Sequence, residues 1–425
     1  MKCRGLIIAA PSSGSGKTVV TLGILRALAR AGVDVRGAKS GPDYIDPRFH
    51  EAASGRDAMN LDAWAMTEAR IRSLAAGPGL LVIEGAMGLF DGAPPDGRGA
   101  VADLARMLRL PVVLVVDAAS MAQSVAPLVA GFCRHDPAVR VAGVILNRTG
   151  SDRHEAMLRG ALGDAVPVLG AVRRDPALTL PDRHLGLVQA GEHPDLAGFL
   201  DSAADAIAGS VDLDALTALS GEFQAAALAG SPKGAGVRPA RIAIARDAAF
   251  SFSYRHHLAM QAHAGATILA FSPLADEPVP QADRVELPGG YPELHAEHLA
   301  GCRRFLDSLR EAAQGADIYG ECGGYMVLGE ALTDASGKRH RMAGLLGLET
   351  SFQTRLLHLG YRGLRALAGP MEGHYRGHEF HYATTIRAEG RPLFAATDAE
   401  GNALPDMGLV EGRVSGSFAH IIDAA

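Results

Sequence analysis

Five runs in the first 150 residues are apolar without alternation: 5–10, 33–39, 80–86, 111–119 and 141–148. Val, Ile and Leu dominate them. A strand with one face in water alternates apolar and polar residues, whereas a strand covered on both faces does not. These runs therefore predict the strands of a parallel sheet. Between the first two, residues 18–32 (TVVTLGILRALARAG) carry a helical pattern that stops at Gly32. Glycine is the residue that best tolerates the left-handed backbone closing a helix. Repeated strand–helix alternation predicts a doubly wound α/β domain.

Residues 192–229 are rich in Ala and Leu and read as helical. Small residues and two prolines without periodicity then mark 229–240 (AGSPKGAGVRPA) as a linker. The strand pattern restarts at 241–247, 266–273, 283–290 and 316–322. The expected organisation is thus two doubly wound α/β domains, 1–228 and 241–425, joined by the linker 229–240. A chain of 425 residues is too long for one ordinary core, which agrees.

Composition narrows the partners. A net charge of −6 and a single Trp argue against a nucleic-acid surface, which needs basic residues and stacking aromatics. No apolar run approaches the roughly 18 residues that cross a bilayer. The apolar stretch at the N-terminus is too short for a signal segment, so the expected location is cytoplasmic. The four cysteines show no CxxC spacing, so neither a zinc knuckle nor a disulfide framework is indicated.

Two segments carry chemistry. The first is APSSGSGKT, residues 10–18, between the first strand and the first helix. Gly14, Ser15 and Gly16 allow backbone N–H groups to converge on an anion at a helix N-terminus. Lys17 then reaches the outer phosphates of a nucleotide such as ATP, and Thr18 is placed to ligate Mg²⁺. Pro11 stands where the common phosphate-loop pattern has glycine, so this is a variant loop. Glu84, at the carboxyl end of the run 80–86, faces the ligand crevice of such a sheet and is a second candidate Mg²⁺ ligand. The loop KSGPDYIDP offers Lys39 to neutralise a transferring phosphoryl group and Asp43 as a further metal ligand. Asp46 and Asp91 are nearby carboxylates assigned to substrate or phosphoryl transfer. A polar turn with a capping Asp is the plainer reading of Asp43.

The second segment is YGECGGYMVLG, residues 319–329. A strand, the pattern G-x-C-x-G and a helix form the cysteine counterpart of a nucleophile elbow. The tight turn lifts the Cys322 sulfur off the sheet, and the following helix N-terminus is expected to lower the thiol pKa. The N–H of Gly323 is one candidate oxyanion donor, and Gly290, in LPGGYPE, supplies the second. His420, near the C-terminus, is the candidate base. Cys133 and Cys302 sit at no strand–turn–helix junction and read as packed core thiols.

The ordered set APSSGSGKT, KSGPDYIDP, EGAMGLFDG, LPDRHLGLV, LPGGYPELHA, YGECGGYM, GHEFHY and GSFAHIID resembles the cobyrinate and hydrogenobyrinate a,c-diamide synthase family, from residue 5 to about 422. The resemblance implies a P-loop NTPase-like, dethiobiotin-synthetase-like domain followed by a class I glutamine amidotransferase-like domain. It implies ATP and Mg²⁺, L-glutamine, and a polycarboxylated corrinoid whose a and c carboxylates are amidated in turn, with a homodimer as the assembly to test. In that reading Cys322 attacks the glutamine carboxamide with His420 as base. Many class I enzymes carry an acid two residues after this histidine; here Ile422 stands there. Arg48, His50, Arg183 and His184 are candidates to meet the substrate's negative charge.

Two other readings bear on the same residues. His374, His378 and His381 would share a helical face as zinc ligands, but the flanking glycines predict strand or loop there, and H-E-x-H lacks the metalloprotease spacing. A partitioning-type switch ATPase shares the phosphate-loop fold, yet has a signature lysine where this chain has Ser12, and no cysteine elbow. Cobyric acid synthase and nickel-sirohydrochlorin a,c-diamide synthase share the domain plan and are the near alternatives within the enzyme class.

Overall fold

The computed structural model describes residues 2–179, 189–226 and 240–425, and the backbone of 182–183 and 186–187. The linker expected at 229–240 lies outside the described residues apart from Ala240. The chain divides into two compact units, Met1–Ala229 and Gly230–Ala425. Among the described residues no helix is long and apolar enough to cross a membrane.

In the first unit seven strands lie in the order Met59–Leu61, Val35–Ser40, Leu80–Glu84, Lys2–Ala9, Val112–Asp117, Val141–Thr149, Val168–Arg173. All neighbours on this path are parallel. The central runs are buried on both faces, as the pattern predicts: Leu6, Ile8, Val82 and Val113 on one face and Ile7, Ile83 and Leu114 on the other are fully enclosed. Helix Lys17–Arg30 closes through Gly32 at φ +80, the left-handed stop the sequence predicts. Gly23 lets this helix approach helix Leu196–Ala208 closely, since a methyl there would fall 2.6 Å from the Ala203 carbonyl oxygen.

One departure concerns the Ala/Leu-rich stretch. Helices Leu196–Ala208 and Leu213–Ala218 form as expected, but Gly221–Gln224 is a strand antiparallel to Lys2–Gly5. The first strand meets Val112–Asp117 only from Ile7 onward. Its earlier residues would otherwise leave backbone groups unpaired on that side, and residues 221–224 satisfy them.

The second unit begins as expected, with parallel strands in the order Thr267–Phe271, Arg241–Ala245, Arg284–Leu287, Asp317–Glu321, Val414–Ser417. The sheet then continues antiparallel through Ala403–Glu411, Arg391–Thr397, His358–Ala366, His374–His381 and His420–Ala424. A smaller sheet holds Arg339–Arg341, Ala331–Thr333, Gly347–Ser351 and Thr384–Glu389. The antiparallel half exceeds the sequence reading because its strands are rich in Gly, His and Arg and only partly buried, so no apolar run announces them. Its consequence is functional: it returns the last strand, with His420, to the sheet that carries Cys322.

Candidate active sites

The phosphate loop bends through Gly14 (φ +78) and Gly16 (φ +84), conformations that side chains disfavour. Gly16 also lies against Asn147, whose Nδ2 donates to the Ser15 carbonyl at 2.9 Å. The Ser15 hydroxyl donates to the Ser12 carbonyl at 3.0 Å, and Arg148 donates to the Gly14 carbonyl at 3.0 Å. Lys17 donates to the carbonyls of Met87 (2.5 Å) and Ser12 (3.3 Å). Burial, then the neighbouring Lys39 ammonium, push its pKa down to about 8.

A cavity of about 800 Å³ opens beside this loop, lined among others by Gly16, Lys17, Thr18, Lys39, Asp43 and Glu84. Strand pairing sets Lys39 directly opposite Glu84. Glu84 is fully buried: its Oε1 accepts from Thr18 Oγ1 at 2.6 Å and from Lys39 Nζ at 2.8 Å, and its Oε2 meets His50 Nε2 at 2.6 Å. Lys39 also donates to the Asp46 carboxylate. Burial alone would push the Glu84 carboxyl up, but the Lys39 ammonium and the His50 hydrogen bond hold it below the ordinary carboxylate range. Burial opposes charge on Lys39 as well, yet Asp46 and Glu84 hold its pKa above the ordinary value. Burial and the Asp43 charge push the Asp46 carboxyl up. Thr18, Asp43 and Glu84 all line this cavity and offer hard oxygens, a set that fits a hard divalent cation such as Mg²⁺.

The predicted residues therefore converge in part. Gly14, Ser15, Gly16, Lys17, Thr18, Lys39, Asp46 and Glu84 gather at one place. Asp43 lines the same cavity, but its Oδ1 accepts from the N–H groups of Ile45 (2.7 Å) and Asp46 (3.0 Å), the capping role of the plainer reading. Asp91 is exposed and not in the cavity lining; its Oδ2 accepts from Gly88 N–H at 2.9 Å and so braces the loop whose Met87 carbonyl holds Lys17. Asp46 is buried against Lys39, so its contact is with the lysine. His50 corrects an expectation outright: it is fully buried on Glu84 and cannot meet a large anionic substrate. The sequence held one signal of this, Gly37, where a methyl would fall 2.7 Å from His50 Cβ. Arg48 pairs with Glu51 at 2.9 Å. The Arg183 side chain and His184 lie outside the described residues.

In the second unit Cys322 stands between strand Asp317–Glu321 and helix Gly323–Leu328 with φ +46, ψ −102, a strained conformation for a residue with a side chain. Its flanking glycines are sterically required: a methyl at 324 would fall 1.9 Å from the Leu287 carbonyl oxygen, and one at 320 would fall 2.7 Å from Leu328 Cδ1. Cys322 N–H donates to the Ser417 carbonyl at 2.8 Å, tying the elbow to the neighbouring strand. The amide of Gly290 lies beside the elbow, 3.1 Å from where a Gly323 methyl would stand. Gly290 and Gly323 are thus brought together. His420 is buried, and a methyl on Gly289 would fall 2.3 Å from its Cε1 and 3.1 Å from its Nε2. The imidazole edge is packed on the strand end that supplies Gly290.

The thiol expectation needs correction. Burial pushes the Cys322 thiol well above its ordinary value, with the Glu293, Glu379 and Glu321 carboxylates adding to it. The Gly323 N–H acts the other way, as the helix start was expected to, but is outweighed. The helix has only 6 residues, and the elbow is closed over by packing. Burial thus favours the neutral thiol over the thiolate at Cys322. Glu293, half-buried on the turn after Gly290, has its own carboxyl pushed up to about 7 by burial.

The three histidines of GHEFHY lie on strand His374–His381, where successive side chains alternate faces. His374 and His378 share one face and His381 takes the other, so they do not converge on one ion. His381 instead neighbours His358 and Glu379. The His358 and His381 rings stack 4.6 Å apart at 13°, and Glu379 is held by Arg362 at 2.8 Å. Cys302 is buried and Cys133 half-buried.

Residues 6–188 match the CobQ/CobB/MinD/ParA nucleotide binding domain, and residues 241–425 the CobB/CobQ-like glutamine amidotransferase domain. A hydrogenobyrinate a,c-diamide synthase of Brucella suis is 55% identical over 99% of this chain and 98% of its own length. Those of Rhizobium meliloti, at 54% over 99% of each, and of Rhodobacter capsulatus, at 52% over 99% and 98%, are similar. With a nucleotide loop set on a buried cation-poised carboxylate in one unit and a strained cysteine elbow in the other, the chain belongs to the hydrogenobyrinate a,c-diamide synthase family.

Proposed function

We propose that this chain converts the a and c carboxylates of hydrogenobyrinate to carboxamides, using ATP to activate each acid and glutamine to supply nitrogen. The observation that carries the reading is the strained Cys322 elbow, placed beside the Gly290 and Gly323 amides, in a chain that also bears a complete nucleotide loop. Full-length similarity to relatives of that name supports the choice of corrinoid over the cobalt-bearing and nickel-bearing alternatives.

At the cysteine site His420 takes the thiol proton as the sulfur attacks the carboxamide carbon of glutamine. The oxyanion that forms faces the N–H groups of Gly290 and Gly323. The C–N bond then breaks, and the departing nitrogen leaves as ammonia with the proton from His420. Water cleaves the thioester to glutamate and restores the thiol. At the nucleotide site a substrate carboxylate attacks the terminal phosphorus of ATP, ADP departs, and ammonia displaces phosphate from the acyl phosphate. Lys17 and Lys39 offset charge on the transferring phosphoryl group, and Asp46 and His50 hold Lys39 and Glu84 in place. Asp91 steadies the loop that holds Lys17. Mg²⁺, with Thr18, Glu84 and Asp43 as its proposed ligands, supplies Lewis-acid charge on the phosphate oxygens when bound.

A cytoplasmic location and a homodimer complete the proposal; four unpaired cysteines suit reducing conditions. The test is incubation with glutamine, MgATP and either hydrogenobyrinate or cobyrinate, followed by mass spectrometry and glutamate assay. Two successive mass decreases of the size of acid-to-amide exchange, requiring ATP and stronger with hydrogenobyrinate, are expected. Nucleotide hydrolysis without glutamate release would instead favour a switch ATPase.

A further inference from the structure

We infer that Glu321, the residue immediately before the nucleophile, is the positioning acid for His420, taking the place that Ile422 leaves empty of charge. The inference rests on the proposed glutaminase role of Cys322 and His420.

Four observations carry it. Glu321 ends the strand Asp317–Glu321, so the elbow that lifts Cys322 to one side leaves the Glu321 side chain pointing toward the final strand. Its Oε1 accepts from the Ile421 N–H at 3.0 Å, and its Oε2 lies 3.5 Å from His420 Nδ1. The carboxylate therefore spans residues 420 and 421, with one oxygen on the backbone and the other toward the ring. The opposite edge of the ring, Cε1 and Nε2, is packed on Gly289 beside the Gly290 amide. An acid beside Nδ1 favours the tautomer that carries its proton there and leaves Nε2 able to accept one.

The strand carrying His420 is also held from behind. The rings of His256 and His257 both meet the Ile422 carbonyl through Nε2, at 2.7 and 3.0 Å. Together with Glu321 they fix both the N–H of residue 421 and the carbonyl of residue 422. The titratable groups facing His420 include Glu321 on its own sheet and His378 and His381 on the paired strand. His378 is held neutral at ordinary pH by burial, which pushes it down to about 3, and His381 is also lowered by burial. Glu321 places a carboxylate oxygen 3.5 Å from the His420 ring.

Such an acid can arise before the cysteine because parallel pairing sets Glu321 opposite Ser417, three residues short of the histidine.

The experiment compares wild type with Glu321→Gln and Glu321→Asp, measuring glutamine-driven and ammonium-driven amidation side by side. Glutamine retains an acceptor for the Ile421 N–H and loses only the charge, so a purely structural brace would survive it. The expected result is a roughly 10- to 100-fold fall in glutaminase kcat for Glu321→Gln, with little change in KM for glutamine. Its ratio of glutamine-driven to ammonium-driven turnover falls by the same factor. Glu321→Asp recovers part of the rate. Unchanged kcat and an unchanged ratio of glutamine-driven to ammonium-driven turnover in Glu321→Gln would overturn the inference while leaving the proposed function intact. So would an equal fall in both activities, which would mark general damage. A wild-type chain with no glutaminase activity would overturn both.

Discussion

The two sites handle buried charge in opposite ways. Around Glu84 the protein buries charge and answers it: Lys39 contacts both Glu84 and Asp46, and Thr18 and His50 also hydrogen-bond to Glu84. Around Cys322, apart from the Glu379–Arg362 ion pair at 2.8 Å, it encloses groups shifted toward their neutral forms: the thiol is pushed up, His378 is pushed down to about 3, and half-buried Glu293 is pushed up to about 7. The difference follows from the chemistry each site must do. A phosphoryl group arrives already charged and needs a fixed electrostatic frame. A buried thiol is best left neutral until a substrate is present to take the electrons, and the strained elbow fixes where its sulfur points.

Substitutions can break this comparison in a graded way. Glu84→Ala should have the largest effect, removing the centre of the charged network and leaving Lys39 and His50 short of their partner. A loss of roughly 3–5 kcal/mol in denaturant unfolding is expected, together with loss of ATP-dependent amidation. A loss within measurement error would mean the network is not the electrostatic unit described.

Cys322 should respond the other way. Cys322→Ala should abolish glutamine use while ammonium salts at high pH still drive amidation; failure of ammonium to support turnover would sink the two-site scheme. Cys322→Gly should lose the same activity yet be more stable than Cys322→Ala by about 1 kcal/mol, because glycine adopts φ +46 without strain. Equal melting of the two variants would show that the elbow stores no strain.

The smallest effect sharpens the contrast through pH. Burial raises the Glu293 carboxyl from 4.5 to about 7, with Arg355 opposing. Between those values the folded chain holds a proton that the unfolded chain has released. The stability from this proton is present below the ordinary value and is lost as pH rises through about 7. Glu293→Gln removes that dependence. Relative to wild type it should gain on the order of 1 kcal/mol at alkaline pH and nothing in acid, read by urea unfolding at both ends. A gain independent of pH would remove Glu293 from the set of buried neutral groups.

What was legible in the chain divides along the same line. The nucleotide loop could be read because its function is written in consecutive residues, 14–18, whose backbone does the work. The elbow was legible for the same reason, since Gly320, Cys322 and Gly324 encode their own turn. His50 and Glu321 were misassigned or missed because their partners lie far along the chain, 34 residues away for His50–Glu84 and 100 for Glu321–Ile421. No local pattern distinguishes a histidine aimed at solvent from one buried on a carboxylate.

Sequence by itself determined the two α/β units, the parallel strands, the loop and the strained cysteine, because hydrophobic period and glycine placement act within a few residues. Tertiary structure alone decided which carboxylates face which cations, the neutral state of the thiol, and the acid beside His420. Those depend on burial and on distances of a few ångströms between segments that only strand register brings together.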